Sequence, residues 1–217
     1  MNTETIYQRI ADIRGQISKL GSYLSAMEEM DIREDSECYS LISNNAALQA
    51  EGIACKLRNL LFASSGILRS EYLVDASAAH GIEVEYDDRI FSVKLPRLLP
   101  KKKARHSDLF LIDPIHAALE FYRQKEDVPK YEKCAICIVH VYDRTLPEWC
   151  ILDYDNMQQK QIIDAITAHI LVDDSGLLCD AYNTTELGDA TCTYVYVMEK
   201  ERFPIWLKER ENARKNI

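Results

Sequence analysis

No stretch of this sequence approaches the eighteen or so consecutive apolar residues that a membrane-spanning helix requires, so a helical membrane protein is not expected. The opening residues MNTETIYQRIADIRG lack the charged, apolar and small-residue layout of a secretory signal, and the expected location is the cytoplasm. Positive charge is also scarce. Twenty-six Lys and Arg against thirty-five Asp and Glu leave a net charge of −9, which argues against a general nucleic-acid binder, whose phosphate contacts demand positive surface. Acidic metal sites would account for several of those charges, and a local basic patch still suffices to guide DNA. Zinc-ligand spacing is nearly missing too. Cys134-Ala-Ile-Cys137 has the C-x-x-C form, but no second ligand pair follows it, and it opens a β-rich run in which positions three apart face opposite ways. The cysteines number seven, an odd count set mostly in apolar segments (Cys55, Cys134, Cys137, Cys150, Cys179, Cys192), which fits reduced thiols packed in a core.

What is present describes an ordinary folded protein. A chain of 217 residues, 47% hydrophobic and 28% charged, is long enough for one full core with an appended element, or for two small domains. In the first third, Ile6, Ile10, Ile13, Ile17, Leu20, Leu24 and Met27 recur at alternating spacings of four and three, the seam of a long amphipathic helix. The polar stretch 28–37 reads as a turn. A second helical pattern runs from Cys38 to Phe62, so residues 1–75 are expected to form an antiparallel helical hairpin. That hairpin packs on itself or on the rest of the chain, or else its seam serves dimerisation or a protein partner.

The remainder mixes strands and helices. A short helix over Ser70 to His80 leads to two alternating runs, 81–86 and 90–95, with Asp87-Asp88 between them, a β-hairpin signature. The segment LPRLLPKKKARH then carries the densest positive run: Arg97, Lys101, Lys102, Lys103 and Arg105. Asp113-Pro114 reads as a helix start, with Asp at the cap and Pro in the first turn. Cys134 to Tyr142 is almost continuously apolar, as a strand covered on both sides should be, and the expected place of His140 is inside that core. Thr191 to Met198 alternates and is expected to close the sheet. The tail, residues 201–217, is charged and helical, with Phe203, Ile205, Trp206 and Leu207 as an anchor. The fold class is therefore α+β, in three parts: 1–75, 76–200 and 201–217.

The most informative stretch is LDYDNMQQKQIIDAITAHILVDDS, residues 152–175. Asp153 and Asp155 stand two apart, so on an extended strand end both carboxylates share a face and repel unless a cation holds them; oxygen ligands point to Mg²⁺ or Mn²⁺. Asn156 is placed to cap a following helix, with Gln159 answering it in a capping box. Ile162, Ile163, Ile166 and Ile170 form one helical stripe, Lys160 and Asp164 share another face, and Asp173-Asp174 precede a Ser-Gly turn.

These residues resemble the signature of RusA-type Holliday-junction resolvases, which runs D-x-D-N, a lysine, D-A-[LI], then D-D before a strand. Here it stands as Asp153-Tyr154-Asp155-Asn156, Lys160, Asp164-Ala165-Ile166 and Asp173-Asp174. The resemblance covers roughly the last 120 residues and none of the first 75. Three residues, not the family's two, separate Asn156 from Lys160, a shift of about 100° around a helix. Only Arg144 stands where the family carries several arginines ahead of the motif. The whole chain is also similar to an uncharacterised family of bacterial mobile-element proteins. The RusA resemblance implies a Mg²⁺-dependent, structure-specific endonuclease of recombination and repair, acting on branched DNA as a homodimer. In it Asp153, Asp155 and Asp174 hold the metal, which activates water and stabilises charge on the phosphate. Lys160 faces the phosphate or the water, with Asp164, Asp173 and Asn156 in support behind them. Arg97, Lys101, Lys102, Lys103, Arg105 and Arg144 would contact the DNA backbone. The alternative is a catalytically inactive relative that works as a protein-interaction module through its helical hairpin.

Overall fold

The computed structural model describes residues 3–97, 99, 109–146, 151–154, 157 and 159–215. The chain divides into two compact units, Met1–Arg69 and Ser70–Ile217.

In the first unit α1 (Thr3–Glu28) and α2 (Ser36–Ser64) lie side by side. Their direction is antiparallel, because Asp12 meets Lys56 at 2.6 Å while Gln16, further along α1, accepts from Gln49, earlier on α2. Ile13 of α1 and Ala46 and Ile53 of α2 are buried along the contact. Two helices bury only a narrow stripe of each other. Half of the expected α1 seam therefore stays outside it: Ile10, Ile17 and Leu24, seven apart, remain 38%, 50% and 50% exposed.

The second unit is built on a five-stranded mixed sheet, ordered β1-β2-β5-β3-β4. Helix α3 (Arg69–Ala79) enters it, and Gly81, at φ +73°, supplies the left-handed residue that ends the helix. β1 (Glu83–Asp87) and β2 (Ile90–Leu95) form the expected hairpin. Its turn residues are Asp88 and Arg89, with φ of 47° and 62°, as the right-handed strand twist demands of a two-residue loop. Helix α4 (Leu109–Lys125) starts a full turn earlier than the Asp-Pro signal suggests. Pro114 thus sits inside the helix, which forgoes one backbone hydrogen bond there, and Asp113 is not a cap. β3 (Cys134–Asp143) is buried from Cys134 to Tyr142, as its apolar run demands. β5 (Cys192–Glu199) does not close the sheet but lies inside it, antiparallel to β2 and β3. The edge is β4 (Cys179–Gly188), parallel to β3, whose polar sequence CDAYNTTELG carries no alternation.

Both faces of the sheet are covered. Ile136, Ile138, Val195 and Val197 face α4 and α5 (Lys160–Ile170), with Ile115, Leu119, Ile162 and Ile166 packed in. Ala135, Cys137, Val139 and Met198 face α6 (Phe203–Lys215) through Trp206. The two cysteines of C-x-x-C accordingly fall in different cores, and burial pushes both thiols up to about 12. Of the expected anchor, Trp206 is buried while Ile205 faces outward. Among the described residues no helix is long and apolar enough to cross a membrane.

Candidate functional site

The crossover from β3 through α5 to β4 creates the site. In the parallel register Ile136 pairs with Ala181, Ile138 with Asn183 and His140 with Thr185. Side chains alternate, so Cys179, Ala181, Asn183 and Thr185 share the face of β3 that α5 covers. Helix α5 buries Ile162, Ala165, Ile166 and Ile170 over the sheet and leaves the β4 edge partly open. The opening is a cleft of about 530 Å³. Ile136, Met157, Ile163 and Ala181 give it an apolar lining, Tyr154, Gln159 and Asn183 a polar one, and Lys160, Asp164 and Asp174 its charges.

Local structure departs from the expected motif geometry. Residues 151–153 are irregular rather than a strand end, so period-two alternation does not set the direction of Asp153. Asp155 and Asn156 lie outside the described residues, and so do Lys101, Lys102, Lys103 and Arg105. Helix α5 begins at Lys160 with Gln159 at its cap position, so the expected capping box does not form. Instead the Gln159 amide reaches across the cleft and donates to the Asn183 Oδ1 at 2.9 Å and to the Tyr154 carbonyl at 3.3 Å. With the helix starting at Lys160, Gln159 no longer stands three positions into it, where a capping-box partner must be.

Lys160 donates to both carboxylate oxygens of Asp164 at 2.9 Å, one helical turn on. The hydrogen bond to Asp164, aided by the charges of Asp164 and Asp174, holds the ammonium above its ordinary range. The lysine remains four-fifths exposed at the mouth of the cleft. Asp174 reaches the same cleft from the loop after α5. Asp153 is exposed and does not line it, and Asp173 is exposed beside Asp174. Lys160, Asp164 and Asp174 therefore line one cleft, and Asp153 is not among its lining residues. Among the described residues no group of three His, Cys, Asp or Glu is arranged to hold a metal ion; the expected set of Asp153, Asp155 and Asp174 includes Asp155, which lies outside them. Of the expected DNA-backbone contacts, Arg97 is exposed just past β2. Arg144 pairs with Asp189 at 3.0 Å in the turn between β4 and β5.

Behind the cleft lies a feature no motif pointed to. Tyr154 stacks on His140, with ring centroids 5.5 Å apart and planes 26° apart. Its hydroxyl shares a hydrogen bond with Thr185 at 3.0 Å. His140 is fully buried, and neither ring nitrogen has a hydrogen-bond partner among the described residues. Burial holds the imidazole below its ordinary value; the nearby Asn183 amide opposes this weakly without meeting hydrogen-bond geometry. The sequence placed His140 in the core but gave no sign that it meets Asn183 and Thr185, because that meeting depends on the β3–β4 register.

No curated protein matches the chain. Among solved structures it is similar to the periplasmic domain of Helicobacter pylori MotB (residues 90–256), at a TM-score of 0.34 and 9% identity over 62% of this chain and 89% of that one. A likeness that remote carries no inference about fold or activity. One family profile spans residues 2–217, and the chain belongs to that family, DUF6100, described as a family of unknown function.

Proposed function

We propose that the second unit acts on the phosphodiester backbone of branched DNA, as its resemblance to RusA-type resolvases implies, and that the cleft beside β4 is where it does so. The observation that supports this reading is the convergence of Lys160, Asp164 and Asp174, three charged members of the motif, on one cleft. Lys160 supplies positive charge for a phosphate, and the carboxylate of Asp164 fixes where that ammonium sits. A divalent metal is expected from the resemblance. Among the described residues the carboxylates form no ligand set of three, and Asp155 lies outside them. The test is incubation of a synthetic four-way junction with the protein and Mg²⁺ or Mn²⁺. Paired nicks near the branch point are expected, with Lys160→Ala and Asp174→Asn each lowering the rate on the order of a hundredfold. An intact junction under both metals would remove this reading.

A second reading has its own observation. Leu41, Leu48, Cys55 and Phe62 recur every seven residues along α2, and all four are exposed; the two leucines are 62% and 63% accessible. With Ile10, Ile17 and Leu24 on α1, the hairpin carries more apolar surface than its own contact uses. This supports an interaction module, working through a second copy or a protein partner. Sedimentation equilibrium of the wild type against Leu41→Glu/Leu48→Glu separates these: a dimer that the substitutions dissolve favours self-association. A monomer in both cases leaves only the partner, which deletion of residues 1–66 should release.

A further inference from the structure

Tyr154 is held from three directions. Its inner ring face lies on His140, its hydroxyl is tied to Thr185, and its carbonyl accepts from Gln159. His140 covers one face of the ring and leaves the other uncovered by it, and Tyr154 lines the cleft. A phenol fixed in this way is a ready stacking platform, because no rotamer freedom remains to be lost when a second ring lies on it. Beside it, Asn183 and Gln159 are joined by a single hydrogen bond from the Gln159 Nε2 to the Asn183 Oδ1. Among the described residues the Asn183 amide N–H groups and the Gln159 carbonyl oxygen have no other side-chain partner, a donor and an acceptor side by side. A purely structural core would not need His140 at all. An apolar residue would fill the same place without stranding two buried ring nitrogens.

A flat face, a donor–acceptor pair at its edge and apolar walls match the base of one nucleotide, and Lys160 at the mouth, paired with Asp164 and beside Asp174, offers a cation for its phosphate. The volume also lies in the range of small-ligand sites. We propose that the cleft binds a single unstacked nucleotide of DNA, its base on Tyr154 with its edge toward Asn183 and Gln159, and its phosphate toward Lys160. This rests on the reading of the cleft as a DNA site and adds to it a specific demand: a base must leave the helix stack to occupy it. Branch points offer such bases at low cost, since their pairing is already strained or lost. Tyr154 and Asn183 bind the base; His140 is a positioning residue that acts through Tyr154.

The experiment uses the full chain in EDTA, with dAMP and dCMP as probes and deoxyribose 5-phosphate as the control, read by saturation-transfer NMR. Base protons are expected to receive more saturation than sugar protons. Tyr154→Ala and Asn183→Leu should each weaken binding about tenfold, while Tyr154→Phe, which keeps the ring, should stay near wild type. Equal competition by deoxyribose 5-phosphate would reduce the site to phosphate binding and overturn the proposal. So would the absence of any base signal at millimolar nucleotide, or a Tyr154→Ala protein that is folded by circular dichroism and binds unchanged. Because no metal is present, the outcome is independent of cleavage. Junction cutting without a base signal sinks this inference alone, and a base signal without cutting sinks the nuclease alone.

Discussion

The buried imidazoles are where single residues set measurable behaviour. His140 is held neutral by burial. His169 of α5 is likewise held low, first by burial and then by His116, 3.0 Å away, with Arg123 and Lys130 acting the same way and Glu120 opposing. The two rings of that pair share a hydrogen bond in which one nitrogen must donate and the other accept, an arrangement lost if both rings charge. A histidine whose folded value is lowered favours the unfolded chain once protons become available. The stability it permits is thus complete above its ordinary value of 6.5 and drains as pH falls below it. Melting temperature is therefore expected to drop between pH 7 and pH 5, and less steeply in His140→Leu/His169→Gln than in the wild type; parallel slopes would refute the assignment. At pH 7, His140→Leu alone should stabilise by about 1 kcal/mol in urea unfolding, because it removes two stranded polar atoms at nearly constant volume. Legibility at this scale was uneven. The apolar run around His140 announced its burial, but the ring on top of it comes from a residue fourteen positions later, and no local pattern encodes that meeting.

Among the elements, α6 shows how an amphipathic tail is fixed to a sheet. Arg210 grips Glu186 of β4 through two nitrogens, one at 2.7 Å, while its guanidinium lies over the rings of Tyr196 and Trp206. Both partners are about four-fifths buried, so breaking the pair strands a charge. Arg210→Ala is expected to cost about 3 kcal/mol in chemical denaturation, and Arg210→Lys to recover little, since an ammonium can neither fork onto the carboxylate nor stack. A loss under 1 kcal/mol for Arg210→Ala would show that α6 is held by Trp206 alone. The hairpin between β1 and β2 makes the opposite kind of test. Arg89 adopts a left-handed backbone at φ 62°, which glycine tolerates without penalty. Arg89→Gly should raise stability by about 0.5 kcal/mol even though it gives up an exposed ion pair with Glu199. Elements such as β2 and the stripe of α5 could be read from sequence because one buried face imposes one repeat, and β3 because burial on both faces imposes a continuous apolar run. The polar edge strand β4 has no such face, and α4 begins where its proline argues against it, so both needed the tertiary structure.

For the molecule as a whole, the division at Arg69 makes a direct prediction. Residues 70–217 produced alone should give a cooperative melt within a few degrees of the corresponding transition in the full chain, measured by calorimetry. Loss of cooperativity would mean that the hairpin is needed to complete the second core. The sequence by itself determined the helical hairpin, the α+β class and the identity of β3 as a covered strand, because each rests on a local repeat that burial on one side or two enforces. It also brought Lys160 and Asp164 together, since one helical turn does that without help. Only the tertiary structure decided that Asp174 lines the same cleft as they do. It alone decided that Gln159 turns to Asn183 instead of capping its helix, and that Tyr154 rests on His140. Those contacts depend on the parallel register of two strands separated by a helix, and a register of that kind is fixed by packing across the whole sheet rather than by any neighbouring residues.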